Sequence, residues 1–150
     1  MGAITQIVAA KAALTATGFS TLASATYCVS NTYNASTTDP LDVMVEVECA
    51  TTGTPAGNKQ VVVFAQASYD NTNWQSGPTS GTTTTDEPDL TFLGTVPVNT
   101  ATTTHRKSFS VAAAYGGVLP PYFRLVLKKD LGTALTSGAV STAEVTGNAA

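Results

Sequence analysis

The order of apolar and polar residues along this chain predicts β-strands over most of its length. The strongest signal is an unbroken block of β-branched and aromatic residues formed by Val61, Val62, Val63 and Phe64. Uninterrupted runs of this kind are typical of strands that are buried on both faces. We therefore predict that this block is the central strand of the fold and that Phe64 is an anchor of its core.

A second strand is predicted between residues 41 and 49, where apolar and polar residues alternate. The face predicted to be buried carries Leu41, Val43, Val45, Val47 and Cys49. Glu46 and Glu48 lie on the opposite, solvated face. Two carboxylates at this spacing are compatible with a catalytic or metal-binding pair. On a solvated strand face, carboxylates more often only increase solubility, and we interpret Glu46 and Glu48 in that way.

Strand patterns recur at residues 19–29, 90–98, 107–115, 122–129 and 139–145. In the fourth of these segments Phe123 belongs to an apolar face, and we expect it to be a second anchor of the core. The total is seven or eight strands, separated by turn-rich segments and without a long helical pattern. This spacing of strands and turns predicts an all-β protein built as a single β-sandwich, with a jelly roll or a related Greek key as its topology.

A polar turn is predicted directly after the central strand, at residues 68–73. Asp70, Asn71 and Asn73 have short side chains that can bond nearby backbone groups and that tolerate left-handed backbone conformations. Trp74 follows the turn, and its position predicts that it folds back over the end of the sheet. We expect Asp70 and Trp74 to be structural anchors.

The residues before position 19 do not fit the sandwich pattern. Their apolar side chains, at Ile4, Ile7, Val8 and Leu14, are spaced irregularly among alanines. We interpret residues 1–18 as an N-terminal arm that lies on a neighbouring subunit or across the base of the sheet, and residues 19–150 as the sandwich domain. We expect these four side chains to contact a partner. The arm lacks an early positive charge and is interrupted by Lys11, so we do not expect it to be a secretory signal.

Composition limits the classes of partner. Charged residues make up 11% of the 150 residues, against about 25% in an average globular domain. The formal net charge of −3 argues against nucleic acid as a partner. The few cations cluster at residues 105–107 and 124–129, and we interpret them as solvated strand ends. No apolar run reaches the roughly 18 residues that a membrane span requires, so no membrane partner is expected.

Candidate reactive groups are sparse. Cys28 and Cys49 are the two cysteines, and they have neither CxxC nor zinc-type spacing. They could form a disulfide, but a cytosolic setting favours two small buried hydrophobic residues. His105 is the single histidine, and the sequence contains no GxSxG, HExxH, P-loop or GxGxxG motif. We therefore expect no catalytic residue, no cofactor and no metal site, and hence no enzyme.

Three segments, taken in order, resemble a known class of protein. They are ASYDNTNW at the end of the central strand, then TFLGTVPVNTATTTHRKSFSV, and then GGVLPPYFRLVLKKDLGTAL. Together they resemble the small structural proteins of tailed-bacteriophage virions, most of all capsid decoration or cement proteins. The resemblance covers residues 61–145, with Asn71 where the glycine of an Asp-Gly turn is usual.

The resemblance implies a structural function without catalysis or a cofactor. It implies binding to the outer surface of the major capsid protein, association with copies of itself as a dimer or trimer, and a location on the capsid surface of the virion after assembly in the host cytoplasm. A neck or tail component of the virion is an alternative of the same class. A carbohydrate-binding module that uses Tyr69, Trp74 and Tyr122 as a stacking surface is an alternative of a different class.

Overall fold

The computed structural model describes residues 4–79, 82–83 and 89–149. Within these residues the strands are β1 (Ile4–Val8), β2 (Ala12–Ala13), β3 (Tyr27–Val29), β4 (Tyr33–Asn34), β5 (Asp42–Thr51), β6 (Gln60–Ser68), β7 (Thr82–Thr83), β8 (Thr91–Pro97), β9 (His105–Ser110), β10 (Tyr122–Asp130) and β11 (Leu135–Ala149). One turn of α-helix, α1, spans Val111–Ala114, and two 3₁₀ turns span Phe19–Thr21 and Ala35–Thr37. The predicted all-β class is confirmed.

Eight of the strands form two antiparallel sheets in jelly-roll order. The first sheet has the order β1-β11-β5-β9, and the second has the order β3-β10-β6-β8. The short strands β2, β4 and β7 pair with β11, β10 and β3, respectively. Counted along the chain, the first of the eight strands therefore lies beside the last, as in a sandwich made of two Greek keys.

The main core lies between the inner faces of the two sheets. Its fully buried side chains alternate along β5, β6 and β10, and they include Val43, Val45, Val47, Val61, Val63, Phe123, Leu125 and Leu127. Cys28 and Cys49 are buried in this core as free thiols, in different sheets. Burial raises the pKa of the Cys28 thiol to about 12 and that of Cys49 to about 11, so both stay protonated at neutral pH.

A second, smaller hydrophobic cluster covers the outer face of the second sheet. It consists of Tyr27, Val29, Phe64 and Val126, with Val62 and Leu90 packed against it. Because Val61 and Val63 point into the main core while Phe64 belongs to this outer cluster, the apolar block of β6 is covered on both faces. Burial on both faces of the strand explains why the apolar run in the sequence is uninterrupted.

The prediction of a strand at residues 107–115 is wrong for the second half of that segment, residues 111–115. The chain leaves β9 at Ser110 and forms α1, because two side chains satisfy N–H groups at the start of the helix. Ala113 N donates to Ser110 Oγ at 3.0 Å, and Ala112 N donates to Asp42 Oδ1 at 2.8 Å. The Ser110 hydroxyl in turn donates to Asp42 Oδ2 at 2.6 Å.

Two other strand predictions need correction. Residues 19–29 are not one strand, since Phe19–Thr21 is a 3₁₀ turn that follows Gly18 in a left-handed conformation, and only Tyr27–Val29 joins a sheet. Leu41, predicted on a buried face, is 53% exposed. It precedes the first residue of β5 and so lies at the open end of the sandwich.

The N-terminal segment belongs to the sandwich. β1 pairs with β11 in antiparallel register, with Val8 opposite Val145, and it is the first strand of the jelly roll. Leu14 lies in the main core, and its N–H donates to Val140 O at 3.0 Å. The interpretation of residues 1–18 as an arm outside the sandwich is corrected by this pairing. The sequence pattern missed it because the partner strand is at the other end of the chain.

Candidate functional site

The groups that could carry chemistry are dispersed in the described part of the chain. Within residues 4–79, 82–83 and 89–149, no three His, Cys, Asp or Glu side chains lie together as a metal site would require. His105 stands on the edge strand β9, where its Nε2 lies 3.2 Å from the carbonyl oxygen of Thr100 and 3.3 Å from its hydroxyl. These contacts tie down the loop before β9.

Glu46 and Glu48 are engaged in separate ion pairs on the outer face of the first sheet. Glu46 pairs with Lys11, which lies between β1 and β2, and this contact lowers the pKa of the Glu46 carboxyl. Glu48 pairs with Arg106 of the neighbouring strand β9, with Oε2 3.0 Å from Nη2. Each carboxylate has its own cation, so the arrangement is that of a solvated sheet surface.

A shallow cleft of about 270 Å³ lies on the same outer face, beside the connection between β1 and β2. Val8, Ala9, Met44 and Ala143 give it a mainly apolar lining, and the Lys11–Glu46 ion pair borders it. A cleft of this composition can bind an apolar side chain, and its polar lining consists of the Lys11–Glu46 ion pair and the side chains of Ser108, Ser141 and Thr142.

Glu144 links the two sheets at one end of the sandwich. Its Oε1 accepts hydrogen bonds from the hydroxyl of Tyr33 at 2.5 Å and from that of Thr38 at 2.7 Å. These bonds lower the pKa of the Glu144 carboxyl, while burial raises the pKa of Tyr33 above its usual value. Sequence spacing gave no signal for this cluster, because Glu144 and its two partners lie far apart in the chain.

Asp70 organises the turn that follows β6. Its Oδ1 accepts hydrogen bonds from the backbone N–H of Thr72 at 2.8 Å and from that of Asn73 at 2.7 Å. The Asn73 side-chain amide donates to Oδ2 at 2.6 Å, and Asn71 adopts a positive φ of 59°. These donors, with the backbone of Asn73 first, hold the pKa of Asp70 well below its usual range.

Asp70→Asn is expected to remove an acid-sensitive part of the stability. Because the folded state lowers the pKa of Asp70, its carboxylate stabilises the fold fully above the ordinary pKa of 3.8, and this contribution is lost as the pH falls from that value through the lower pKa of the folded state. The difference in urea midpoint between wild type and Asp70→Asn should therefore shrink from about pH 5 to about pH 2. The exposed acid Asp89 provides the control Asp89→Asn, and a pH-independent difference for Asp70→Asn would contradict this role.

Trp74 folds back onto the second sheet and makes a β-bridge with Ser68. The guanidinium of Arg124 lies 4.1 Å from the centroid of the Trp74 ring, in a cation–π contact. Two hydrogen bonds fix this guanidinium: Nε donates to Gln66 Oε1 at 2.8 Å, and Nη1 donates to Thr79 O at 2.7 Å. Arg124 is thus half buried by specific contacts and is not the solvated strand end that its sequence context predicted.

Lys129 also departs from that prediction. Its relative exposure is 3%, and its Nζ donates to the carbonyl oxygen of Thr133 at 2.8 Å. Burial lowers the pKa of this ammonium group.

The aromatic residues considered for carbohydrate stacking do not form one open platform. Arg124 covers one face of Trp74. Tyr69 is 72% exposed, whereas Tyr122 is half buried and its hydroxyl accepts from the Ser36 hydroxyl at 3.4 Å. A sugar ring stacked on the covered face of Trp74 would have to displace a fixed guanidinium.

The four residues predicted to contact a partner are divided by the structure. Leu14 is 9% exposed and belongs to the core, so it is not available to a partner. Ile7 and Val8 lie on the edge strand β1 with exposures of 47% and 63%, and the backbone of Ile4 belongs to the same strand. Leu41, which was predicted on a buried strand face, lies on the other side of β11, where its N–H donates to Val145 O at 2.8 Å.

No protein-family model matches this chain, and no curated protein matches it at a significant level. Among the described residues, no helix is long and apolar enough to cross a membrane.

Proposed function

We propose that this chain is a bacteriophage capsid decoration protein that binds the outer surface of the major capsid protein and stabilises the head. The proposal starts from the three segments that resemble virion structural proteins. In the fold, the first covers the end of β6 and the Asp70 turn, the second covers β8 and β9, and the third covers β10 with its flanking turns.

The observation that carries the proposal is the edge strand β1, which presents exposed apolar side chains. Ile7 and Val8 are exposed there, and the nearest charged residue in the sequence is Lys11. Such an edge is suited to main-chain pairing with another protein chain, and the proposed role includes association with copies of this chain on the capsid surface. A jelly roll agrees with this role, since viral capsid proteins use it, although lectins and cupins use it as well.

The second virion role, in a neck or tail, would use the same surfaces, and the number of copies distinguishes it. A decoration protein covers a lattice, so its copies are counted in hundreds, whereas a ring at one vertex has about six or twelve subunits by its symmetry. The carbohydrate-binding alternative is less well supported, because Arg124 occupies one face of Trp74.

The test is the copy number of this chain in purified virions of the phage that encodes it. Quantitative mass spectrometry against the major capsid protein is expected to give hundreds of copies per particle, and heads that lack the chain are expected to lose their DNA at a lower temperature. A count near six or twelve would replace the head assignment with a neck or tail role. Absence of the chain from virions would refute the proposal.

A further inference from the structure

We propose that β1 pairs with β1 of a second copy of this chain, antiparallel and about a twofold axis. This pairing would join the first sheets of the two copies into one continuous sheet. The inference goes beyond the proposed function and does not depend on it, because it concerns the purified chain in solution.

The hydrogen bonds of β1 show which of its backbone groups are free. Ala9 N donates to Glu144 O at 2.8 Å, and Val8 lies opposite Val145. In an antiparallel pair, hydrogen-bonded and non-hydrogen-bonded positions alternate. The odd positions of β1 therefore bond to β11, and the N–H and C=O groups of the even positions, Ile4, Gln6 and Val8, point away from it. Within the described residues no further strand lies beyond β1 to receive them.

These outward groups have the spacing that pairing with an identical strand requires. With the twofold axis at Gln6, each Gln6 lies opposite its copy and each Ile4 lies opposite Val8 of the other chain. All three facing pairs then consist of outward-pointing positions. Each such pair exchanges two hydrogen bonds, so the three pairs form about six. No residue of β1 has to change its bonding to β11.

The side chains favour the same arrangement. Thr5 of one copy would face Ile7 of the other, which places β-branched side chains in cross-strand pairs. Ile7 is 47% exposed in the single chain, and Leu41, at 53%, flanks the same part of β11. Pairing would cover Ile7, which has an incomplete set of neighbours at the edge of a single copy.

The other sheet edges are guarded against self-pairing, and β1 is not. β9 carries the consecutive cations Arg106 and Lys107, which would face like charges in a symmetric pair. β8 has a register shift beside Gly94 and ends at Pro97, and β7 is only two residues long. By contrast, ITQIV in β1 has no charge and no proline. These differences assign the symmetric contact to β1.

A twofold contact predicts a closed dimer. Pairing of β1 with the β9 edge of another copy would instead be a head-to-tail contact and would continue into open chains. The concentration dependence of the mass in solution separates these two arrangements.

The test uses the full chain in analytical ultracentrifugation with four substitutions at Gln6. Wild type is expected to form a dimer that does not grow further. Gln6→Pro removes one outward N–H from each copy without touching the bonds to β11, so the dimer dissociation constant should rise at least about tenfold. The matched variant Gln6→Thr keeps the N–H and a strand-forming side chain, and it should dimerise like wild type.

A charge exchange at the same position tests the twofold axis directly. Gln6→Lys and Gln6→Glu should each weaken the dimer when alone, because like charges meet at the axis, and their equimolar mixture should restore it. A thermal melt of each variant verifies folding, and the charge pair keeps the test decisive if Gln6→Pro does not fold. A monomeric wild type, a dimer that is insensitive to these substitutions, or growth into open chains would overturn the inference.

Discussion

Replacing Phe123 with alanine is expected to lower the free energy of unfolding by about 3–5 kcal/mol. Phe123 lies on β10 with no exposed surface, between Tyr33 of β4 and Ala67 of β6. Its ring stacks on the Tyr33 ring with the centroids 5.0 Å apart. The substitution would leave a cavity at the centre of the sandwich, which the two flanking strands cannot close without breaking their register.

The measurement is equilibrium unfolding in urea, with Phe92→Ala as the matched control. Phe92 is also an aromatic residue on the second sheet, but it is 57% exposed, and its ring makes an edge contact with the Phe64 ring. Phe92→Ala is expected to cost about 1 kcal/mol. If Phe123→Ala unfolds at the same urea concentration as Phe92→Ala, Phe123 does not hold the core.

Gly94→Ala is expected to destabilise the protein by about 2–5 kcal/mol, since it combines backbone strain with a steric clash. Gly94 has a φ of +150°, next to the shift in register between β6 and β8. A Cβ atom at this position would lie 2.6 Å from Cε1 of Phe109, which belongs to the opposite sheet. The two sheets approach each other so closely here that only glycine fits between them.

Gly116→Ala separates the two causes. Gly116 also has a positive φ, of +71°, but a Cβ atom there would meet no heavy atom within 4 Å. It is expected to cost about 1 kcal/mol from backbone strain alone. Equal losses for the two variants in urea unfolding would show that the contact with Phe109 has no role.

The alternation of apolar and polar residues predicted the strands that have one buried and one solvated face. The alternation in β5 and β10 was visible because neighbouring side chains of a strand point to opposite sides, and burial follows that period. The helix α1 was missed for the opposite reason. Its start depends on Asp42, which is far from Ser110 in the chain, and no local pattern reports that contact.

The candidate surface was only partly predictable. The exposed apolar residues Ile7 and Val8 stood out in the sequence, but Leu14, grouped with them, packs in the core, and Leu41 is exposed at an open strand end. The type of a residue shows how hydrophobic its side chain is, but it does not show which other residues cover that side chain in the fold. The contact of Arg124 with Trp74 likewise requires β10 and the Asp70 turn to meet in space.

The sequence by itself determined the all-β class, the central strand and the scarcity of reactive groups, because strand period, β-branched content and residue inventory are local properties of the chain. Only the tertiary structure decided that β1 is the first jelly-roll strand and that its even-numbered backbone groups face outward. Both follow from its register with β11, which joins the two ends of the chain. Such pairing depends on long-range closure of the sheet, for which a one-dimensional pattern carries no signal.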